Sequence, residues 1–203
     1  MYELTLQQVI VRLGAMLLIV AVYGCLLASV ARLLGDDGPR HDGRLTISPF
    51  GHLDLIGLLA GVLFLMGWAR PMDVDPARLR GGRVGLALCV GASLAGVARL
   101  GAALQLLQGP ALRIPGELAA QNVQMFLQEA GRMCVWFAII NLVPVPPLAA
   151  SALWRMAAEN GAQLAARFYL PGAGLLIVLM ASGLARKVVE PLAAPLSLML
   201  GVR

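Results

Sequence analysis

The run LGAMLLIVAVYGCLLASVA, residues Leu13–Ala31, indicates the class of fold to which this chain belongs. It contains nineteen residues without a charged side chain and is closed by Arg32. A helix needs about 20 apolar residues to cross the hydrocarbon core of a bilayer, so the run predicts a membrane span. It is longer than the apolar core of a signal peptide and is followed by no cleavage site, which argues against a targeting segment.

The composition of the whole chain points the same way. Hydrophobic residues make up 59% of the 203 residues, charged residues make up 13%, and the mean hydropathy is +0.80. A soluble domain carries about 45–50% apolar and about 25% charged residues. Too few polar side chains remain to cover a globule in water, which excludes a soluble enzyme, a disordered chain and a nucleic-acid-binding protein as leading interpretations. We expect a multi-pass protein of the bacterial inner membrane.

Five further apolar runs follow, and their lengths predict different elements. Val84–Leu112, Met133–Trp154 and Phe168–Ala185 are each long enough to span a bilayer. Leu55–Ala69 has fifteen residues and predicts a short, tilted or re-entrant element, whereas Pro191–Val202 predicts a short terminal or interfacial helix. The sequence therefore predicts an all-α integral membrane protein, built as a bundle of about four to six transmembrane helices.

The basic residues lie mainly at the edges of these runs. The net charge is +5, and fifteen of the sixteen basic residues are arginines. At such edges they meet lipid headgroups and help to set topology. The loop Arg70–Arg83 is the most basic, and the loop after Arg32 also carries Arg40 and Arg44. Both loops can face the same side only if Leu55–Ala69 enters the membrane and returns.

Small residues indicate where helices approach one another. Gly57 and Gly61 form a small-xxx-small pair on one face of the short element. Such pairs bring helix backbones close where the hydrophobic effect gives no drive for association. The contact can lie within this chain or join it to another subunit, and the sequence leaves both open. The three cysteines, Cys25, Cys89 and Cys134, are too far apart to predict a disulfide framework or a metal site.

Three polar residues in or beside the apolar runs are candidates for roles beyond packing. Arg99 lies inside the second long run, where it either ends the span at the interface or pairs with Glu129 or with an acid of another subunit. His52 and Asp54 are expected to cap or orient the start of the short element. A residual metal or proton role for this pair is the alternative.

The segment Asn141-Leu-Val-Pro-Val-Pro-Pro-Leu148 is the most unusual part of the chain. Pro144, Pro146 and Pro147 break a helix and leave backbone groups unpaired, which is tolerated at membrane depth only against protein or a polar cavity. We expect the Asn141 side chain to bond to these backbone groups and to hold the broken helix against the first span. The alternative is that the prolines end the helix at the membrane surface, where water satisfies the carbonyls.

This segment and two earlier loops resemble the site-2 protease family of intramembrane zinc metalloproteases. The family carries an Asn-x-x-Pro-x-Pro-Pro-Leu-Asp-Gly motif at the place of Asn141–Ala150. Earlier segments that are similar in order and spacing are Gly43-Arg-Leu-Thr-Ile-Ser-Pro49, His52-Leu-Asp54 with Ile56-Gly57, and Gly67-Trp-Ala-Arg-Pro71 with Asp75-Pro76. The resemblance implies a single transmembrane domain, 1–203, with a protease-like core at 13–155 and C-terminal helices at 156–203.

The resemblance also implies where the chemistry would lie. Family members hold a zinc ion with the two histidines of His-Glu-x-x-His and the Asp of the proline-rich motif, and the Glu is the general base. Alignment places Tyr23 and Leu27 at the histidines, Gly24 at the Glu and Ala149 at the Asp. None of these side chains can do the work of the residue it replaces. The resemblance therefore implies a pseudoprotease with no metal, no cofactor and no catalytic residue.

The expected function follows from this pattern, in which the loop motifs of the family are present and its catalytic side chains are absent. The leading hypothesis is a non-catalytic accessory or structural subunit, or an assembly factor, of a larger inner-membrane complex. Its partners would be other integral membrane proteins and lipids, with no role for nucleic acid. A regulatory pseudoenzyme that binds transmembrane helices is the alternative. An active zinc metallopeptidase would need a His-Glu-x-x-His motif, which the sequence does not contain.

Overall fold

The computed structural model describes residues 4–154, 160–199 and 201, and every regular element within these ranges is helical. Two 3-10 turns occur, at Pro49–Gly51 and at Ala149–Leu153. The α-helices are α1 (Leu6–Leu33), α2 (Gly38–His41), α3 (Leu55–Phe64), α4 (Gly82–Leu106), α5 (Gln108–Ala111), α6 (Glu117–Ile140), α7 (Gly161–Arg167), α8 (Tyr169–Ala181) and α9 (Leu184–Met199). The predicted all-α class is confirmed for the part of the chain that is described.

Two helical stretches are long and apolar enough to cross a membrane. They are Leu6–Leu33 and Gly82–Ala111, the second being α4 with its short continuation α5. A third candidate exists if α7 and α8, which meet at an angle of 54°, form one bent span. Within the described residues, two to three candidate spans therefore stand where the sequence predicted about four to six.

The third predicted span, Met133–Trp154, is wrong in its bounds. The helix in this region is α6, which begins at Glu117 and ends before the prolines. Its first half is rich in polar residues, so a search for apolar runs finds only its second half. Every residue from Met133 to Ile140 is buried, because this half packs inside the bundle rather than against lipid.

The two C-terminal runs also differ from their prediction. Phe168–Ala185 contains the thirteen-residue helix α8, which ends at Ala181 and is followed by Gly183 with a positive φ of 76°. Residues 191–199 of the last run belong to α9, which begins earlier, at Leu184, and contains Pro191 and Pro195. Both prolines are tolerated in this helix, while residues 200, 202 and 203 lie outside the described ranges.

Three long helices form the core of the bundle. α1 begins with a capping box, in which the Thr5 hydroxyl accepts a hydrogen bond from the Gln8 amide and the Gln8 side chain accepts one from the Thr5 amide. α6 runs parallel to α1, since Gln7 bonds to Asn122 near one end and Tyr23 packs on Phe137 further along. α4 runs in the opposite direction to α6, since Gly101 lies against Gly131 and Gln105 bonds to the Leu127 carbonyl, and α4 packs against both helices.

The short element enters and leaves the bundle at the same end. α3 begins at Asp54, whose carboxylate accepts a hydrogen bond from the Gly57 amide at 2.8 Å, and it ends at Leu65 in the left-handed conformation, with φ 66°. The chain then folds back, and the Arg70 amide donates to the His52 carbonyl at 2.8 Å. The ten-residue helix confirms that the element is short, and the bond between Arg70 and His52 shows that the chain folds back after it. Re-entry into the membrane stays a prediction.

The glycine pair of α3 makes this return possible. A Cβ built on Gly57 would lie 2.2 Å from the Trp68 carbonyl oxygen, and one built on Gly61 would lie 2.6 Å from the Met16 sulfur of α1. Neither position has room for a methyl group. The two glycines therefore serve contacts within this chain rather than a contact with another subunit.

The two basic loops meet at one end of the bundle. Asp36 is buried, and its two carboxylate oxygens accept hydrogen bonds from the Gly38 and Asp75 amides at 2.9 Å each. The Arg80 amide donates to the Leu34 carbonyl at 2.6 Å. These bonds join the loop after α1 to the loop before α4, as the re-entrant prediction requires.

Candidate functional site

A cavity of about 770 Å³ opens between the helices at the end of the bundle that carries the basic loops. α1, α4, the returning segment after α3, the proline-rich segment and α7–α8 all contribute to its wall. Its inner wall is mainly apolar and includes Tyr23, Leu27, Leu86, Val90 and Leu148. The volume lies within the range of about 300–1,000 Å³ that is typical of small-molecule sites.

The three positions that the family resemblance assigns to zinc ligands line this one cavity. Tyr23 and Leu27 lie one helical turn apart on α1, and Ala149 lies at the start of the 3-10 turn across from them. Tyr23 is 5% exposed and makes an edge-on contact with the Phe137 ring at 5.4 Å. A buried phenol, an alkyl chain and a methyl group do not fit a zinc ion, which is held by imidazole, thiolate or carboxylate groups.

The position assigned to the general base lies elsewhere. Gly24 is not part of the cavity wall, and a Cβ built on it would lie 2.1 Å from Nδ1 of His52 and 2.6 Å from Cε1 of the same ring. The imidazole therefore occupies the space where a side chain at position 24 would start. Sequence reasoning gave no sign of this contact, because the two residues are far apart in the chain.

His52 is a fully buried packing residue. Its Nε2 lies 2.9 Å from the Thr46 carbonyl oxygen, which can only accept, so Nε2 carries the proton. Its Nδ1 has no hydrogen-bond partner in the described part of the chain. Burial lowers the pKa of the imidazole, and the nearby Arg44 charge lowers it further against the opposing effect of the Thr46 carbonyl. No group of three His, Cys, Asp or Glu residues within the described ranges is arranged to hold a metal ion.

The two histidines of the chain allow a matched test of this burial. An imidazole with a lower pKa in the folded than in the unfolded state, where it is about 6.5, stabilises the fold above that pH and loses this contribution as the pH falls. We expect the melting temperature in detergent to fall from about pH 7.5 to about pH 5, and His52→Gln to flatten the dependence. His41→Gln, at an exposed position, should keep the wild-type dependence. An equal slope in both variants would contradict the burial argument.

Asp54 connects the re-entrant element to the C-terminal helices. Besides capping α3, its second carboxylate oxygen accepts a hydrogen bond from the Tyr169 hydroxyl at the start of α8. Both residues line the cavity. Asp54 was expected to cap the helix, whereas Tyr169 was missed. A hydroxyl at the edge of an otherwise apolar run is the only sequence signal that could have indicated it.

Asn141 is 1% exposed and makes three side-chain hydrogen bonds. Its Nδ2 donates to the Gly67 and Phe137 carbonyls, each at 2.9 Å, and its Oδ1 accepts from the Ala149 amide at 3.1 Å. The expected bonds to backbone groups are therefore present. The expected partner differs, because the break is held against Gly67 of the returning segment after α3 rather than against the first span.

The three prolines lie in different surroundings. Pro144 is exposed, and its carbonyl accepts a hydrogen bond from the Trp154 indole at 2.9 Å. Pro146 and Pro147 are buried, line the cavity and are joined by a cis peptide bond. A Cβ built on Gly172 of α8 would lie 1.8 Å from the Pro146 carbonyl oxygen, so this part of the segment is covered by protein.

Arg99 lies apart from the cavity. It is exposed on α4, and Glu129 is instead bonded to Arg12 and Arg132. The alternative in which Arg99 pairs with Glu129 is therefore wrong, because the carboxylate faces α1 rather than α4. Among the described residues that line the cavity, Arg70, Asp73 and Arg167 are charged and exposed, and Asp54 is charged and half-buried.

Comparison with known proteins gives one partial match. Over 48 residues the chain is 44% identical to the Bacillus subtilis (strain 168) protein named "Putative zinc metalloprotease YwhC". The matched part is 24% of this chain, and the chain spans 22% of the length of that protein. No model of a known protein family matches the chain, and no solved structure matches it. The partial match points to a site-2-protease-like family, as the sequence motifs do.

Proposed function

We propose that this chain is a non-catalytic, protease-like membrane protein that serves as an accessory subunit or assembly factor of a larger complex in the bacterial inner membrane. One observation carries the proposal. The positions assigned to the zinc ligands lie around a single cavity, yet Tyr23, Leu27 and Ala149 supply no group that zinc prefers. A cavity that is present but carries no metal-binding groups at these three positions is suited to binding a ligand or a protein segment rather than to catalysis.

The size and lining of the cavity suggest what it receives. A helix about 10–12 Å across with a rise of about 1.5 Å per residue fills on the order of 140 Å³ per residue. A cavity of about 770 Å³ therefore takes about five helical residues, or a short extended stretch. The mainly apolar wall and the charged rim favour a segment of a partner membrane protein that ends near the headgroup layer. This also supports the second candidate, a regulatory pseudoenzyme that holds the transmembrane helices of clients.

Elemental analysis tests the non-catalytic part of the proposal. We expect the full chain, purified gently in mild detergent, to carry no stoichiometric zinc, because the three ligand positions offer only a phenol and two alkyl groups. An active intramembrane zinc protease purified in the same way is the control and should retain its metal. One zinc ion per chain that is lost in His52→Ala would contradict the proposal.

Isolation from native membranes tests the partner. An accessory subunit should co-purify in a stable complex of fixed stoichiometry, which mass spectrometry of the co-migrating bands would identify. A regulatory pseudoenzyme should instead be captured with several single-span clients in substoichiometric amounts. A chain that migrates alone under every mild condition would contradict both candidates.

A further inference from the structure

A cluster of charged side chains lies between α1 and α6, away from the cavity. Arg12 donates from Nε to one carboxylate oxygen of Glu129 at 2.7 Å and from Nη1 to the Val62 carbonyl at 3.1 Å. Arg132 donates to the other Glu129 oxygen at 2.7 Å. The Arg12 side chain is 10% exposed and that of Glu129 is 16% exposed. The Arg132 side chain is 40% exposed, so the Arg12–Glu129 pair is shielded from water, which strengthens its interaction, while the cluster is open on the Arg132 side.

The charges of this cluster do not balance. Two guanidinium groups face one carboxylate, and both carboxylate oxygens are already bonded. Nε of Arg132 is buried and has no hydrogen-bond partner in the described part of the chain. A guanidinium carries five N–H donors and no acceptor, so the two arginines keep donors to spare. Donors of this kind match an anion with several acceptor oxygens.

A small pocket lies directly on the cluster. Its volume is about 130 Å³, and its wall contains Gln8, Arg12, Gln128, Glu129 and Arg132. This space has room for a few water molecules or for one tetrahedral phosphate group. Two arginine forks and two amides are donors that match phosphate oxygens.

The pocket lies near one end of the first candidate span. That span is Leu6–Leu33, and Arg12, in its second turn, directly precedes the uncharged run Leu13–Ala31, which is where a headgroup layer would meet the helix. Beside it, Ile10 is 61% exposed and Leu13 is 39% exposed, which gives acyl chains an apolar surface on the same helix. Basic pockets between membrane helices are known sites for anionic headgroups. We propose that this pocket binds the phosphate of an anionic phospholipid.

Thermal stability of the full chain in detergent, with added lipid, tests the site. A ligand that binds only the folded state stabilises it by RT ln(1 + [L]/Kd), so the melting temperature rises with the ligand concentration and with the affinity. Phosphatidylglycerol in mixed micelles is expected to raise the melting temperature of the wild type, while phosphatidylcholine has a smaller effect. Arg132→Gln should need about tenfold more phosphatidylglycerol for the same shift, as expected when a charge-assisted hydrogen bond is lost.

Two further variants serve as controls for this experiment. Arg99→Gln removes the same charge from an exposed position on α4 and should respond to phosphatidylglycerol as the wild type does. Arg132→Lys keeps the charge but loses Nε, and should fall between the wild type and Arg132→Gln even if the glutamine variant folds poorly. If Arg132→Lys needs the same amount of phosphatidylglycerol as the wild type, and Arg132→Gln does too when it folds, the pocket does not bind the lipid and the proposal is overturned. An equal shift with inorganic phosphate alone would indicate a free-anion site and overturn the lipid assignment.

Discussion

Asn141→Leu is expected to lower the free energy of unfolding by about 3–5 kcal/mol, since it removes three hydrogen bonds and leaves buried partners unpaired. The carbonyl of Gly67 and the amide of Ala149 each lose the partner that Asn141 provides. A buried polar group without a partner costs about 1–3 kcal/mol, and leucine offers it nothing in return. The variant should loosen both the proline-rich segment and the re-entrant element, because Asn141 joins them.

The measurement is the melting temperature in detergent, with Asn122→Leu as the control. Asn122 lies on the same helix, is exposed, and makes one surface hydrogen bond to Gln7. The same change there should cost less than about 1 kcal/mol. If both variants melt with the wild type, Asn141 lies in water and the proline-rich segment is a surface terminus.

Gly24→Ala is expected to destabilise the bundle by about 3 kcal/mol or more, because it overpacks a site without free space. The added methyl group would collide with the His52 ring, which is 0% exposed and cannot swing into solvent. Gly91→Ala is the control, because a Cβ on Gly91 meets nothing within 4 Å. Alanine exceeds glycine in helix propensity by about 1 kcal/mol, so the control should be neutral or stabilised.

A double-mutant cycle separates the collision from a general effect of position 24. When His52→Ala is present, the space next to Gly24 is vacated, and Gly24→Ala should then cost much less than it does in the wild type. Contacting residues show interaction energies of about 0.5–3 kcal/mol in such cycles. Additive effects of the two changes would show that the ring and the glycine do not touch.

The same contact bears on any attempt to restore a protease. Tyr23→His, Leu27→His and Ala149→Asp place new ligands around the existing cavity, whereas Gly24→Glu must displace the His52 ring. We expect the triple variant without Gly24→Glu to fold and the quadruple variant to be poorly folded. Robust proteolysis by the quadruple variant would show that position 24 accepts a glutamate side chain, and would contradict the collision with the His52 ring.

The sequence predicts the position of a helix when that position depends on apolar length or on residues nearby in the chain. The nineteen uncharged residues of Leu13–Ala31 lie within α1, and the expected Asp54 cap begins the short helix, although this helix ends at Phe64 rather than at the predicted Ala69. Apolar length fails for α6, because its polar first half and buried second half belong to one helix. Hydropathy records which residues avoid water, but it does not distinguish a helix that faces lipid from one that faces protein.

In the candidate site, too, some features could be predicted from the sequence and others could not. A motif comparison places Tyr23, Leu27 and Ala149 together, and these three residues do share one cavity. The contact of Gly24 with His52 and the bond of Tyr169 to Asp54 depend on how distant segments pack, and no local pattern carries that information. The alternative that paired Glu129 with Arg99 failed for the same reason, since the true partner, Arg12, lies 117 residues away in the chain.

The distance of 117 residues between Arg12 and Glu129 determines the order in which the two are synthesised. Ribosomes add about 5–20 residues per second, so α1 waits on the order of ten seconds for the carboxylate of Glu129 to be synthesised. During this interval the Arg12 guanidinium must stay in the headgroup layer, and the Gly67 carbonyl also lacks Asn141, which lies 74 residues downstream. A chain cut before α6 would contain the first helix with no carboxylate to pair with Arg12. It would also contain the α3 element without the hydrogen bond from Asn141 to Gly67. Membrane quality-control proteases would therefore recognise nascent fragments of this protein more readily than the finished bundle.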